Sequence, residues 1–100
     1  MSESLNLLVV EDDDSLRDAL QITLEAAGHR VAAVDGGPAA LAALARETFS
    51  MVVSDLRMDP MDGLTLLAEV KERYPETVRL ALSAYTHTAQ LIPCINTGHL

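Results

Sequence analysis

Apolar residues along this chain fall into short runs separated by longer amphipathic stretches. The runs at 5–10, 31–34, 51–53 and 78–82 have little polar alternation, which is typical of strands buried on both faces of a parallel sheet. Between them, leucines and alanines recur at helical spacing, with Gly28, Pro38 and Pro75 at positions that end or begin helices. The pattern predicts a doubly wound α/β fold with a parallel sheet.

The helix boundaries are also predicted from local signals. Asp14 or Ser15 can cap the first helix, and Gly28 can close it. Residues 89–95 have a helical pattern apart from Pro93. Because an interior proline disrupts a helix, a fourth helix should start late or kink there.

Polar chemistry is concentrated where the predicted strands end. An acidic run at 11–14 follows the first strand, Asp55 ends the third, and Ser83 ends the fourth. Ligands of such sheets bind at the carboxyl ends of the strands. Carboxylates crowded together there repel one another unless a cation screens them. Mg²⁺ prefers oxygen ligands and takes one or two protein carboxylates, which Asp12 and Asp55 can supply.

The composition limits the class of function. The net charge of −8 argues against direct binding of nucleic acid by this segment. Cys94 is the only cysteine, so an internal disulfide is excluded. The N-terminus has no basic region before its apolar run, and no apolar run is long enough to span a bilayer. We therefore expect a single cytoplasmic domain without membrane contact.

Three segments resemble the signature motifs of bacterial response-regulator receiver domains, in the same order. They are Val-Val-Glu-Asp-Asp (9–13), Ser-Asp-Leu-Arg-Met-Asp-Pro-Met-Asp-Gly (54–63) and Leu-Ser-Ala (82–84). The resemblance covers essentially the whole chain and implies a flavodoxin-like receiver topology with strand order 2-1-3-4. It also implies a phosphoacceptor switch of two-component signalling rather than a metabolic enzyme.

The resemblance assigns a role to each matching position. Asp55 would be the phosphoacceptor, phosphorylated in a Mg²⁺-dependent manner by a partner histidine kinase or phosphotransfer protein. Asp12 and Asp55 would bind the metal directly, Glu11 would bind it through water, and the backbone carbonyl of Arg57 would be a further ligand. Ser83 would supply the switch hydroxyl, and Ala84 beside it would leave room for the phosphoryl group. The signal would pass to an output domain or protein.

Two departures from the family pattern qualify this interpretation. Asp59 stands where the family usually has proline, and Pro60 comes one position later. The family also has a fifth strand, carrying a lysine, and a fifth helix, so residues 1–100 are expected to form a C-terminally incomplete receiver domain. An incomplete domain would leave the fourth strand as an unpaired edge and expose apolar surface, so self-association is expected.

Other functions remain open at this point. The main alternative is a non-phosphorylated, receiver-like docking or dimerisation module, favoured by Asp59 and the missing lysine. A small metal-dependent phosphatase is weaker, because only Asp55 offers itself as a nucleophile. A helix-loop-helix calcium site fails, because Thr23 and Pro60 occupy positions that need glutamate and glycine.

Overall fold

Strands and helices alternate along the chain in the computed structural model, which describes residues 4–56, 62–83 and 90–92. The elements are β1 (Asn6–Val10), α1 (Asp14–Ala26), β2 (Arg30–Val34), α2 (Gly37–Arg46), β3 (Met51–Asp55), α3 (Gly63–Arg73), β4 (Val78–Ser83) and β5 (Gln90–Ile92). No helix within these residues is long and apolar enough to cross a bilayer.

The strands form one sheet in the order β2-β1-β3-β4-β5. The first four are parallel, which confirms the predicted α/β class and the order 2-1-3-4. In the register of the central strands, Val10 lies opposite Ser54, and Asp55 lies opposite Leu82. The ends of β1, β3 and β4 therefore meet at the same edge of the sheet.

One face of the sheet carries the main core. Helices α2 and α3 pack there against alternate residues of the strands, and the buried members are Leu8, Val10, Ala40, Ala43, Leu44, Phe49, Val52, Leu66, Leu67, Val70 and Ala81. Burial of this apolar surface is the main source of the stability of the fold.

The opposite face is covered by α1 and is less deeply packed. No residue of α1 is fully buried, although Leu16, Leu20 and Leu24 are half-buried on the predicted inward side. Beside the helix lies an apolar groove of about 340 Å³, lined by Leu7, Leu20, Thr23, Leu24, Met51, Val53, Leu80 and Leu82. The hydrophobic spacing of α1 thus predicted its orientation but not its depth of burial.

The helix ends follow the local chemistry, with one correction. Asp13, rather than Asp14 or Ser15, caps α1, because its extended backbone lets its Oδ1 accept a hydrogen bond from Leu16 N–H at 3.0 Å. Gly28 follows α1 with φ +98°, in the left-handed region that glycine tolerates. Pro38 lies in the first turn of α2, as predicted.

The segment after β4 departs from the prediction. Gln90–Ile92 is a strand antiparallel to β4, so the expected helix is wrong for these three residues. Its pairing with residues 81–83 also corrects the expectation that β4 is an unpaired edge. Unpaired backbone groups of an edge strand are satisfied by any chain that pairs with them, and this gain outweighs the local helical pattern. Pro93 and Cys94 lie outside the described residues.

Candidate metal centre

A cluster of carboxylates lies at the carboxyl edge of the sheet. Oxygen atoms of Glu11, Asp12 and Asp55 all lie within 4.8 Å of one another. Glu11 and Asp12 follow β1, and Asp55 ends the neighbouring β3, so the parallel pairing of these strands brings the three together. Glu11 is 1% exposed and Asp55 is 5% exposed, whereas Asp12 is open to solvent.

Glu11 is the member of the cluster whose carboxyl pKa is raised by its surroundings. Its Oε2 accepts a hydrogen bond from Asp13 N–H at 3.0 Å, but its Oε1 is buried with no hydrogen-bond partner within the described residues. Burial raises the pKa of Glu11 from 4.5 to about 7, and the neighbouring Asp55 and Asp12 act in the same direction, while the Asp13 N–H lowers it. A buried carboxylate oxygen without a donor, facing further carboxylates, fits a divalent cation.

The loop between β1 and α1 is held by a residue that the sequence interpretation missed. Arg17 reaches back from the first turns of α1, where its Nη1 donates to the carbonyl oxygen of Glu11 at 3.0 Å. Its Nη2 pairs with Asp14 at 2.5 Å. The sequence does contain a signal for this contact, because a single arginine follows shortly after four consecutive acidic residues.

The backbone around Asp55 is closely packed. Ser54 Oγ donates to the Asp55 carbonyl oxygen at 2.9 Å, and Gly63 N–H donates to the Leu56 carbonyl at 3.0 Å. A Cβ atom on Gly63 would overlap the Asp55 carbonyl oxygen and lie 2.7 Å from Leu56 Cα. Glycine at the start of α3 therefore lets this helix approach the end of β3. A glycine opening a helix was a sequence signal for this contact.

The remaining predicted site residues are less fully described. Ser83 is the last residue of β4. It comes one position after Leu82, which is the register partner of Asp55 in β3. This strand end is thus next to that of β3. Arg57, Asp59, Pro60 and Ala84 lie outside the described residues.

A parallel α/β sheet with acidic residues at the ends of its central strands belongs to the open α/β class, in which ligands bind at the carboxyl edge of the sheet. The chain belongs to the response-regulator receiver domain family, whose model matches residues 7–99. This confirms the family inferred from the motifs.

Curated relatives share this region. The response regulator protein FleR of Pseudomonas aeruginosa is 45% identical over 92 residues, or 92% of this chain and 20% of FleR. The DNA-binding transcriptional regulator NtrC of Salmonella typhimurium is 40% identical over 90 residues, or 90% of this chain and 19% of NtrC. The chain therefore spans about a fifth of the length of these relatives.

Solved structures agree with the fold. Chemotaxis protein CheY4 of Vibrio cholerae matches with a TM-score of 0.79 at 30% identity, covering 84% of this chain and 72% of that one. Response regulator TrrA of Thermotoga maritima, solved in complex with Mg²⁺-BeF, matches with a TM-score of 0.78 at 25% identity, covering 83% and 72%.

Proposed function

We propose that this receiver domain is a phosphoacceptor switch in which Asp55 takes a phosphoryl group from a partner histidine kinase or phosphotransfer protein, with Mg²⁺ bound at the acidic cluster. The observation that carries this proposal is the buried Oε1 of Glu11, which has no hydrogen-bond partner in the described part of the chain and lies beside Asp12 and Asp55. The Mg²⁺ named for TrrA supports the choice of metal.

In this proposal the metal ligands come from two strand ends and a loop. Asp12 and Asp55 would provide carboxylate oxygens, Glu11 would bind through water, and the Arg57 carbonyl would be a further ligand. A bound Mg²⁺ would supply positive charge that offsets the negative charge on the transferring group.

The chemistry proposed for Asp55 needs no general base, because an ionised carboxylate is already a nucleophile. One carboxylate oxygen forms a bond to phosphorus as the bond between phosphorus and the donor's leaving group breaks, and the leaving group keeps that electron pair. The product is an aspartyl phosphate. The Ser83 hydroxyl then donates to a phosphoryl oxygen, which links the modification to the end of β4.

The proposed output lies in a longer protein. Among the relatives, HoxA of Cupriavidus necator is named a hydrogenase transcriptional regulatory protein, and NtrC is named a DNA-binding transcriptional regulator. We therefore infer an output domain that regulates transcription in the cytoplasm, while the charge of −8 argues that DNA contact is made by that domain rather than by this one.

The alternative docking role has less support, because all three carboxylates of the cluster are present. Self-association remains a proposal of its own. The surface it would use is the apolar groove beside α1, since β5 already pairs with part of β4. Light scattering tests it: a monomeric mass at all concentrations would exclude self-association of this chain.

Phosphorylation is tested by incubating the chain with Mg²⁺ and acetyl phosphate and recording intact masses. We expect one added phosphoryl group, and none after the metal is chelated or in Asp55→Asn. Asp35→Asn is the matched control, because Asp35 is an exposed carboxylate following β2 and is not in the cluster. This variant should be modified like the parent. A parent chain that gains no phosphoryl group would contradict the proposal.

A further inference from the structure

We propose that Arg17 is a positioning residue of the metal centre, which fixes the loop after β1 so that Glu11 and Asp12 lie where a cation can bind both. The inference rests on the proposed Mg²⁺ site. Its structural basis is the two-armed contact of the guanidinium, one arm on the Glu11 carbonyl at 3.0 Å and the other on Asp14 at 2.5 Å.

The contacted carbonyl belongs to a part of the backbone that the sheet no longer holds on its β3 side. The pairing of β1 with β3 ends at Val10, opposite Ser54. Glu11 N–H still donates to the carbonyl oxygen of Val34 in β2 at 3.0 Å. The carbonyl of Glu11, however, belongs to the next peptide unit, which leads to Asp12. The hydrogen bond from Arg17 therefore restrains the rotation of this peptide unit, and with it the direction of both acidic side chains.

The side chain of Arg17 is suited to this task. It is only 20% exposed, and a planar guanidinium donates to two acceptors in a fixed geometry that lysine cannot reproduce. Its own helix is anchored to the same loop, since Arg17 N–H donates to the Asp13 carbonyl at 2.8 Å. The loop is thus fastened to the first turn of α1 by both main-chain and side-chain contacts.

Loss of Arg17 should change the affinity for Mg²⁺ in opposite directions, depending on whether the residue acts by positioning the loop or only by its charge. A positive charge near the cluster repels Mg²⁺, so removing it should tighten binding if charge were its only effect. Loss of the side chain would also free the carboxylate of Asp14, which adds attraction. If Arg17 positions the loop, its removal should weaken binding, because groups that orient metal ligands typically account for 10-fold or more in affinity.

The test measures the dissociation constant for Mg²⁺ and the unfolding midpoint without Mg²⁺ in the full chain. We expect Arg17→Met to weaken Mg²⁺ binding by about tenfold. Arg73→Met is the matched control, because Arg73 forms an exposed pair with Glu69 at 2.9 Å near the other end of α3 and its loss changes the net charge equally. Its Mg²⁺ affinity should equal that of the parent.

A purely structural role would lower the unfolding midpoint and leave the Mg²⁺ dissociation constant of the folded protein unchanged. That result, or tighter binding in Arg17→Met, would overturn the inference. Should Arg17→Met not fold, Arg17→Lys keeps the charge and removes the two-armed contact, and it should still bind Mg²⁺ several-fold more weakly. A parent chain that binds no Mg²⁺ would instead overturn the proposed function.

Discussion

Replacing Gly63 with alanine tests the close approach of α3 to Asp55, the proposed phosphoacceptor. The added Cβ would overlap the carbonyl oxygen of Asp55 and lie 2.7 Å from Leu56 Cα and 2.8 Å from the Asp55 carbonyl carbon. Carbon atoms in favourable contact lie about 3.5–4.0 Å apart, so either the helix or the strand end must move. All three neighbouring atoms belong to the backbone, which makes the movement costly.

Two opposing effects determine how much Gly63→Ala changes the free energy of unfolding. Alanine is favoured over glycine in a helix by about 1 kcal/mol, whereas overpacking of a buried site costs about 1–3 kcal/mol, occasionally more. Because Asp55 is paired with Leu82 and the overlap is severe, we expect the free energy of unfolding to fall by about 2 kcal/mol. A displacement of about 1 Å at Asp55 should also slow phosphorylation by up to about 100-fold.

Urea denaturation and the rate of phosphorylation by acetyl phosphate measure these two effects. Gly28→Ala is the control, because φ there is +98° and no atom lies near the added Cβ. It should lose about 1–2 kcal/mol through backbone strain alone and keep the parent's phosphorylation rate. A Gly63→Ala protein as stable as the parent, or phosphorylated as fast, would refute the reasoning.

Three further predictions concern stability. Without Mg²⁺, the free energy of unfolding should fall, by up to about 3 kcal/mol, as the pH rises from 4.5 to about 7, because folded Glu11 binds its proton more tightly than unfolded Glu11. Glu11→Gln should abolish this slope in urea titrations, and an unchanged slope would contradict the assignment. Asp13→Ala should lower the free energy of unfolding by about 1 kcal/mol, because the helix cap is lost. Asp13→Asn can still cap the helix, so its free energy of unfolding in the same assay should stay close to that of the parent. Phe49→Ala should cost about 3–5 kcal/mol by thermal or urea unfolding, because Phe49 is 2% exposed; Ile22→Ala, at a 66% exposed position, should change stability by less than about 0.5 kcal/mol.

The parallel strands could be predicted from their short apolar runs, most clearly in the centre of the sheet, because a strand covered on both faces needs apolar residues at successive positions. β1 shows this directly, since Leu7, Leu8, Val9 and Val10 are all at most 2% exposed. An abrupt change from such a run to acidic residues then identifies the strand end. The approach of Glu11 and Asp12 to Asp55 follows from parallel pairing, which the sequence pattern already indicated.

The antiparallel strand Gln90–Ile92 could not be predicted in the same way. Its local pattern is equally compatible with a helix, and its conformation depends on an available partner edge at residues 81–83. Similarly, the spacing of leucines in α1 indicates which side faces the sheet, but not that the helix covers only part of it. Both properties depend on which other elements pack nearby, and periodicity within one element does not contain that information.

Arg17 and Gly63 act on the site through the main chain, which explains why a search for reactive side chains does not find them. Arg17 binds the carbonyl of Glu11, and Gly63 packs against the carbonyl of Asp55, which also accepts a hydrogen bond from Ser54. The ends of β1 and β3 are therefore held by contacts with their backbone carbonyl groups. Although Glu11 Oε2 accepts from Asp13 N–H, a further donor to Glu11 Oε1 would compete with a cation for the lone pairs of that oxygen. With the backbone fixed instead, Glu11 keeps a buried oxygen without a donor within the described residues, which suits the proposed Mg²⁺ site.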